Sequence, residues 1–401
     1  MRSLFLFVAS LLFVFQSHSQ EMMQWRGVDR DGKYDTKDLM KKWPEAGPKL
    51  LWSFDALGDG HASATVTDDI VYTGGVDGDQ GFIIAFDHSG KQLWKKNYAK
   101  EWMDNYDGVR GTPLLNDGLL YMMSGHGELV AMSAKNGEKV WSKNMLTEYG
   151  GRNLRFGMTE NLLIEGDMLF CTPGGEETNV IAVNKKTGDL IWKTKAMGEK
   201  SAYCSPLLVK RGNRSLMVTH TGSSIIGIDI QNGEMLWSFE HKNLYDIHPN
   251  TPLYKDGELF CFSGYGKGGV MLQLSEDGSS VKELWRNTFV DNQMGGAVLV
   301  DGKIYVSGHE NRMWYCIDWK TGEEVYSSKA IVKGSVIFAD GMLYCYGDNG
   351  EIGLIDIKNG EFNKVSFFRV PMGTKQHWAH LVIHNNRMYV RHGGAFMVYE
   401  I

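Results

Sequence analysis

The chain has 401 residues, 43% of them hydrophobic and 12% aromatic, with 48 Gly against 8 Pro and a formal net charge of -6 at pH 7. Such a composition supports a folded core, and Gly in that excess over Pro points to many tight turns between short strands. Lys, Glu and Asp alternate instead of running in blocks and no basic tail is present, which excludes a phosphate-backbone footprint and leaves no nucleic-acid partner expected.

Residues 1–20 carry Met1-Arg2, an apolar run from Leu4 to Phe15 and the small-residue pattern Ser17-His18-Ser19, the layout of a secretory signal peptide cleaved near Ser19 or Gln20. The apolar run is shorter than the roughly 20 residues that cross a bilayer. The expectation is a soluble periplasmic or secreted protein with no membrane span. The first cysteine, Cys171, is far from the cleavage point, so no lipid anchor is expected. Residues 21–47, with Trp25, Trp43 and Pro44, read as an N-terminal extension packed on the domain of residues 48–401.

That domain is repetitive. The stretch Ala131–Trp141 (AMSAKNGEKVW) recurs in phase at Ala182–Trp192, Gly227–Trp237 and Cys316–Tyr326. A shorter copy runs from Ala85 to Trp94, a degenerate one ends at Trp285, and one around Asp356 and Asn359-Gly360 lacks the final aromatic. The Asn-Gly or Thr-Gly pair predicts a tight turn before the last strand of each unit, where Gly tolerates positive φ. The aromatic that follows, Trp52, Trp94, Trp141, Trp192, Trp237, Trp285 or Tyr326, lies on the outer strand and docks on the neighbouring unit. Intervals of 41 to 51 residues allow four strands per unit. Seven units fit between about residue 60 and residue 376, and Trp378–Ile401 holds only three strands. Lys49–Phe54, with Trp52 but no strands before it, supplies the fourth. The predicted fold is an all-β, eight-bladed propeller of four-stranded antiparallel blades, its ring closed by the N-terminal strand so that no sheet edge is left open.

The tryptophan-ended repeats over residues 48–401 resemble the pyrroloquinoline-quinone-like, or quinoprotein-type, propeller family, whose members include quinone-dependent alcohol dehydrogenases and the BamB-type outer-membrane assembly factor. The motif specifies fold and permits several functions.

In a propeller the first strand of each blade lines the central channel, and its start shares a face with the loop between the second and third strands. The strand starts offer His61, Arg110, Arg155 with Phe156, Tyr203 with Ser205, His248 with Asn250, Asn292 with Gln293, and His377, Trp378 and His380. The second-to-third loops offer His126, His220, His309 and His392, with Arg391 beside the last. These side chains read as an aromatic and cationic funnel on the channel face, suited to an anionic or polyhydroxylated ligand. The quinoprotein resemblance implies pyrroloquinoline quinone with calcium. On that reading Arg110, Arg155 and Arg391 would hold the cofactor carboxylates, Trp378 would stack on its ring, and Asp107, Glu160 or Asp291 would be base or metal ligand. The adjacent-cysteine disulfide of the classical dehydrogenases has no counterpart. Cys171, Cys204, Cys261, Cys316 and Cys345 sit apart in apolar runs and read as buried thiols. The His377/His380 pair lies in a loop and Gly264–Gly269 between two strands, so neither reads as a metal or dinucleotide site.

The sequence reading favours a non-catalytic binding or scaffold module outside the cytoplasm that holds a protein segment or glycan. The alternatives are a quinoprotein oxidoreductase and a carbohydrate-active enzyme that uses the Arg, His and Tyr of the funnel.

Overall fold

A computed structural model describes residues 22–401; the expected signal peptide lies outside the described residues. Eight blades follow one another around a central channel: I (64–100), II (114–144), III (163–194), IV (207–240), V (253–287), VI (297–328), VII (334–369) and VIII (382–400). Blade VIII takes its outer strand, Lys49–Phe54, from the start of the chain, with Trp52 opposite Val398 and Phe54 opposite Phe396. One hydrogen-bonded ladder therefore clasps both ends of the ring, as the repeat arithmetic required. Blade VII gains a fifth strand, Lys33–Tyr34, which runs parallel to its inner strand. Among the described residues no helix is long and apolar enough to cross a membrane.

The middle strands of each blade are sandwiched between neighbouring blades on both faces, so they are apolar at nearly every position instead of alternating. Phe82–Phe86, Leu169–Cys171 and Leu259–Phe262 are all buried. All five cysteines are reduced and buried among such residues.

In blades II, III, IV and VI the turn before the outer strand is a five-residue loop. There Gly137, Gly188, Gly233 and Gly322 take φ of +71°, +75°, +76° and +72°, and each amide donates four residues back, as in Gly322 to Asp318 at 2.9 Å. The same glycine answers a second demand. The indole of the preceding blade lies flat against it, so a Cβ would stand 2.8 Å from Trp141 at Gly188, 2.6 Å from Trp192 at Gly233 and 2.3 Å from Trp285 at Gly322. The indole Nε1–H then donates to a carbonyl of that turn: Trp141 to Lys185 at 2.9 Å, Trp192 to Ile230 at 2.9 Å and Trp285 to Trp319 at 3.1 Å. In every blade the ladder slips just before the docking position, a bulge that re-aims the aromatic toward the next blade.

Two positions depart from the pattern. Tyr326 is 38% exposed and stacks on Phe362 instead of on a turn glycine. Blade VII has Ser366 at the docking position, and Trp43 fills the gap. Its amide donates to Ser366 Oγ at 3.1 Å, and its ring packs against Phe368 and Tyr344 between blades VII and VIII.

Residues 22–34 cross the channel. Met23 pairs with Leu115 of blade II, and Lys33–Tyr34 pairs with Phe338–Ala339 of blade VII. Between them two arginines, each only 2% exposed, point into the ring. Arg30 donates to the carbonyls of Asn161 at 3.1 Å, Pro206 at 2.7 Å and Leu162, ahead of blades III and IV. Arg26 donates to the carbonyls of Ala297 at 2.6 Å and Val336 at 3.0 Å, in blades VI and VII, and to His380 Nδ1 at 2.9 Å, ahead of blade VIII. The channel is thus strapped shut by the chain's own N-terminal segment.

Candidate functional site: an aromatic and arginine mouth

The strap gives the channel face a floor, and the loops that enter blades I, II, III, IV and VIII build a mouth above it. His61 and Trp378 have ring centroids 5.0 Å apart, Trp378 and Tyr106 5.1 Å, Tyr106 and Phe156 5.4 Å, and Phe156 and Tyr203 6.2 Å. Five rings from five loops therefore form one continuous apolar arc. Tyr106 is its exposed centre, at 44% exposure and in the left-handed region with φ +58°. A tyrosine in that conformation is strained, and the loop imposes it where the ring meets solvent.

Arg110 belongs to the same loop as Tyr106, ahead of blade II. Its Nη2 is fully buried and has no hydrogen-bond partner among the described residues. Burial pushes its pKa down to about 10, opposed by Glu101, Tyr203 and Asp107, and the guanidinium keeps its charge at neutral pH. The His61 Nδ1 beside it is also buried and unpartnered. Burial first, then the charges of Arg391 and Arg110, hold His61 down at about 3, so it is neutral. Trp102 Nε1 and His309 Nδ1 are likewise without partners among the described residues. Arg155 is exposed, its guanidinium 5.4 Å from the Phe156 ring.

Charge around the channel is lopsided. Arg26, Arg30, Arg110 and Arg391 converge there, whereas burial raises Glu101 and Glu160 to about 7, which leaves them only partly ionised at neutral pH. Four arginines thus gather at the channel of a chain whose net charge is -6, three of them buried against backbone carbonyls, with Asp59 and Asp107 paired to Lys375 at the rim.

The remaining expected site residues are committed to the protein itself. Arg391 donates to the carbonyls of Gly393, Gly74 and Gly58. His380 sits between Arg26 and the Met294 carbonyl, packed edge-on against Trp25. Asn250 donates to Asn292 O at 2.7 Å and accepts from Gly296, and Asn292 donates to Ser307 Oγ at 2.8 Å. His248 has Ser263 Oγ at 2.8 Å from Nδ1 and Gly222 O at 3.2 Å from Nε2, and it stacks on His220. His309 lies across the face against Tyr265, whose ring also meets Tyr245. The mouth therefore keeps His61, Arg110, Arg155, Tyr203 and Trp378 from the sequence reading.

Sequence reasoning passed over Tyr106 and Lys375. Lys375 reaches Asp59 at 3.2 Å and Asp107 at 2.9 Å, and so ties three loops of the mouth together. Tyr106 stands alone among polar turn residues, Asp104-Asn105-Tyr106-Asp107-Gly108, and an aromatic in such a setting was the available signal.

A family model described as outer membrane protein assembly factor BamB matches residues 37–163 and 157–366. The chain belongs to this PQQ-like β-propeller family. An uncharacterised protein of Rickettsia conorii is 27% identical over 223 residues, 50% of either chain. Quinoprotein alcohol dehydrogenase PedH of Pseudomonas putida is 22% identical over 251 residues, 60% of this chain and 39% of that one. The match to the Rickettsia protein thus spans about half of that relative's length. BamB from Moraxella catarrhalis shares the fold, with a TM-score of 0.64 at 15% identity over 88% of this chain and 97% of that one.

The pyrroloquinoline quinone and calcium that the resemblance implied do not fit the residues present. The three carboxylates considered for base or metal are dispersed and engaged. Asp107 pairs with Lys375, Glu160 accepts from Thr172, and Asp291 accepts from the amides of His309 and Gly266. Among the described residues no group of three His, Cys, Asp or Glu could hold a metal ion. Arg391, needed for a cofactor carboxylate, already donates to three backbone carbonyls.

Proposed function

We propose that this propeller is a binding module acting outside the cytoplasm, and that its mouth holds an anionic, extended segment of a partner protein. The observation that carries the reading is the buried, unpartnered Nη2 of Arg110 in the same loop as Tyr106, the centre of an arc of five aromatic rings. A buried donor without an acceptor costs about 1 to 3 kcal/mol, which a ligand carboxylate recovers on binding. The aromatic rings supply flat apolar area around that contact, and exposed Arg155 adds a second cation at the rim. The matching family model, described as an outer membrane protein assembly factor, accords with a role in assembly.

The test is titration of the full chain with a synthetic peptide of alternating Glu and Phe, beside its Gln and Phe counterpart, followed by tryptophan fluorescence and thermal shift. The acidic peptide should bind and the neutral one should not, with Arg110→Ala weakening binding about tenfold or more and Arg155→Ala less. Equal binding of the two peptides, or an unchanged Arg110→Ala variant, overturns the reading. No observation in the mouth favours a glycan or sugar-directed catalysis.

A further inference from the structure

His392 closes the second strand of blade VIII, next to the loop of residues 370–378 that carries Lys375 and Trp378 into the mouth. Its ring is clamped between two carbonyls of that loop, with Nδ1 2.7 Å from Met372 O and Nε2 3.1 Å from Lys375 O. Both partners are acceptors only. A neutral imidazole carries one N–H, so both contacts are attractive only when both nitrogens are protonated. The loop is moulded around the ring. A Cβ on Gly373, whose φ is +94°, would lie 2.7 Å from His392 Nδ1, and one on Gly393 would lie 2.3 Å from Thr374 O. His377 completes the clamp, stacked on His392 with centroids 3.7 Å and planes 19° apart, its own Nδ1 2.7 Å from the Tyr346 hydroxyl.

Resting on the binding reading above, we infer that His392 is the positioning residue of the mouth, a proton-dependent latch. Doubly protonated, it fastens the loop by two carbonyls; losing a proton, it turns a lone pair on one of them. The loop it fastens bears Lys375, which bridges Asp59 and Asp107, and Trp378, which packs on His61 and Tyr106. Other ionisable groups around the ring keep their state near neutral pH. Burial and the charge of His392 hold His377 down at about 4, and His61 stays neutral. Lys375 is held charged by Asp107 and Asp59, and Arg391 is saturated by carbonyls. On the neighbouring blade VII loop, Asp348 is paired with Lys333 and Glu351 with Lys364. Within that set, His392 is the ring with both nitrogens facing carbonyls of the loop.

The test uses the full chain, with nitrogen-15 NMR of the His392 ring, amide exchange of residues 372–378 and binding of the Glu and Phe peptide between pH 6 and 8. The latch expects amide protection to fall as the second ring proton leaves, and peptide affinity to fall about tenfold across the window, the worth of one charge-assisted hydrogen bond. His392→Gln, a neutral donor of two hydrogens, should bind without pH dependence, and His392→Phe should bind weakly throughout. A wild-type profile that is flat while Arg110→Ala still abolishes binding overturns the latch and leaves the binding reading standing. If the peptide binds to nothing, the NMR arm decides alone: protection that tracks the ring titration sustains the latch, and protection indifferent to it overturns the latch.

Discussion

Removing the Arg30 side chain is the sharpest probe of the strap across the channel. Arg30→Ala strips the donors from the carbonyls of Asn161, Leu162 and Pro206 and from Gln24 Oε1, which accepts from Nε at 2.7 Å. These partners come from segments about 130 and 176 residues away in the chain, so the side chain is a rivet between the extension and blades III and IV. Each hydrogen bond from a charged donor is worth about 1.5 to 3 kcal/mol, and its loss leaves a buried carbonyl without a partner. Part of that is returned, because the guanidinium no longer has to be desolvated, the effect that holds its pKa down at about 10. The expected net loss is ~3 kcal/mol in urea unfolding, smaller for Arg30→Lys, with faster amide exchange across residues 23–34. A variant within ~0.5 kcal/mol of the parent, its strap still protected, would refute the reasoning, because it would mean the ring holds the extension by backbone pairing alone.

Two further predictions concern the blades and the buried histidines. Gly322→Ala forces φ +72° on an L-residue and drives a Cβ to 2.3 Å from Trp285, so it should cost ~2 kcal/mol or more and lower the melting temperature, whereas Gly302→Ala, open to solvent and also at positive φ, should cost less. Burial holds His61, His241 and His380 down at about 3 and His248 at about 4. Unfolded, these histidines titrate near 6.5. Between pH 6.5 and 4 the unfolded chain therefore binds protons that the folded chain refuses, and stability should fall as the pH falls through that window. Glu101 and Glu160, raised by burial to about 7, act in the opposite sense, since the penalty for burying their charge is relieved as the pH drops from about 7 toward 4.5. Four histidines outweigh two carboxyls, so thermal melts at pH 5 should lie below those at pH 7; the reverse order would show that the carboxyls dominate.

The sequence by itself determined the ring. Blades II, III, IV and VI repeat a local code, an Asn-Gly or Thr-Gly turn followed by an aromatic, and the other blades carry degenerate copies, so blade count and closure by Lys49–Phe54 were legible without coordinates. The glycine of that code was only half legible. Its positive φ follows from the turn, but its second duty, lying under the indole of the previous blade, belongs to the packing of blade on blade. Trp43 was visible as an apolar anchor, yet its place beside Ser366 depended on which blade lacked its own docking aromatic.

Tertiary structure alone decided which channel-face side chains stay free. Arg110 and Arg391 look alike in sequence, but one keeps a buried Nη2 without a partner among the described residues while the other donates to the nearby Gly393 carbonyl and to those of Gly58 and Gly74, more than 300 residues away in the chain. Arg26 and Arg30 reach into the ring because a short segment happens to cross the channel where inner-strand carbonyls point inward. Hydrogen-bond satisfaction is a property of the assembled space, set by which backbone groups converge from separate blades, and a one-dimensional pattern of residue types does not encode that convergence.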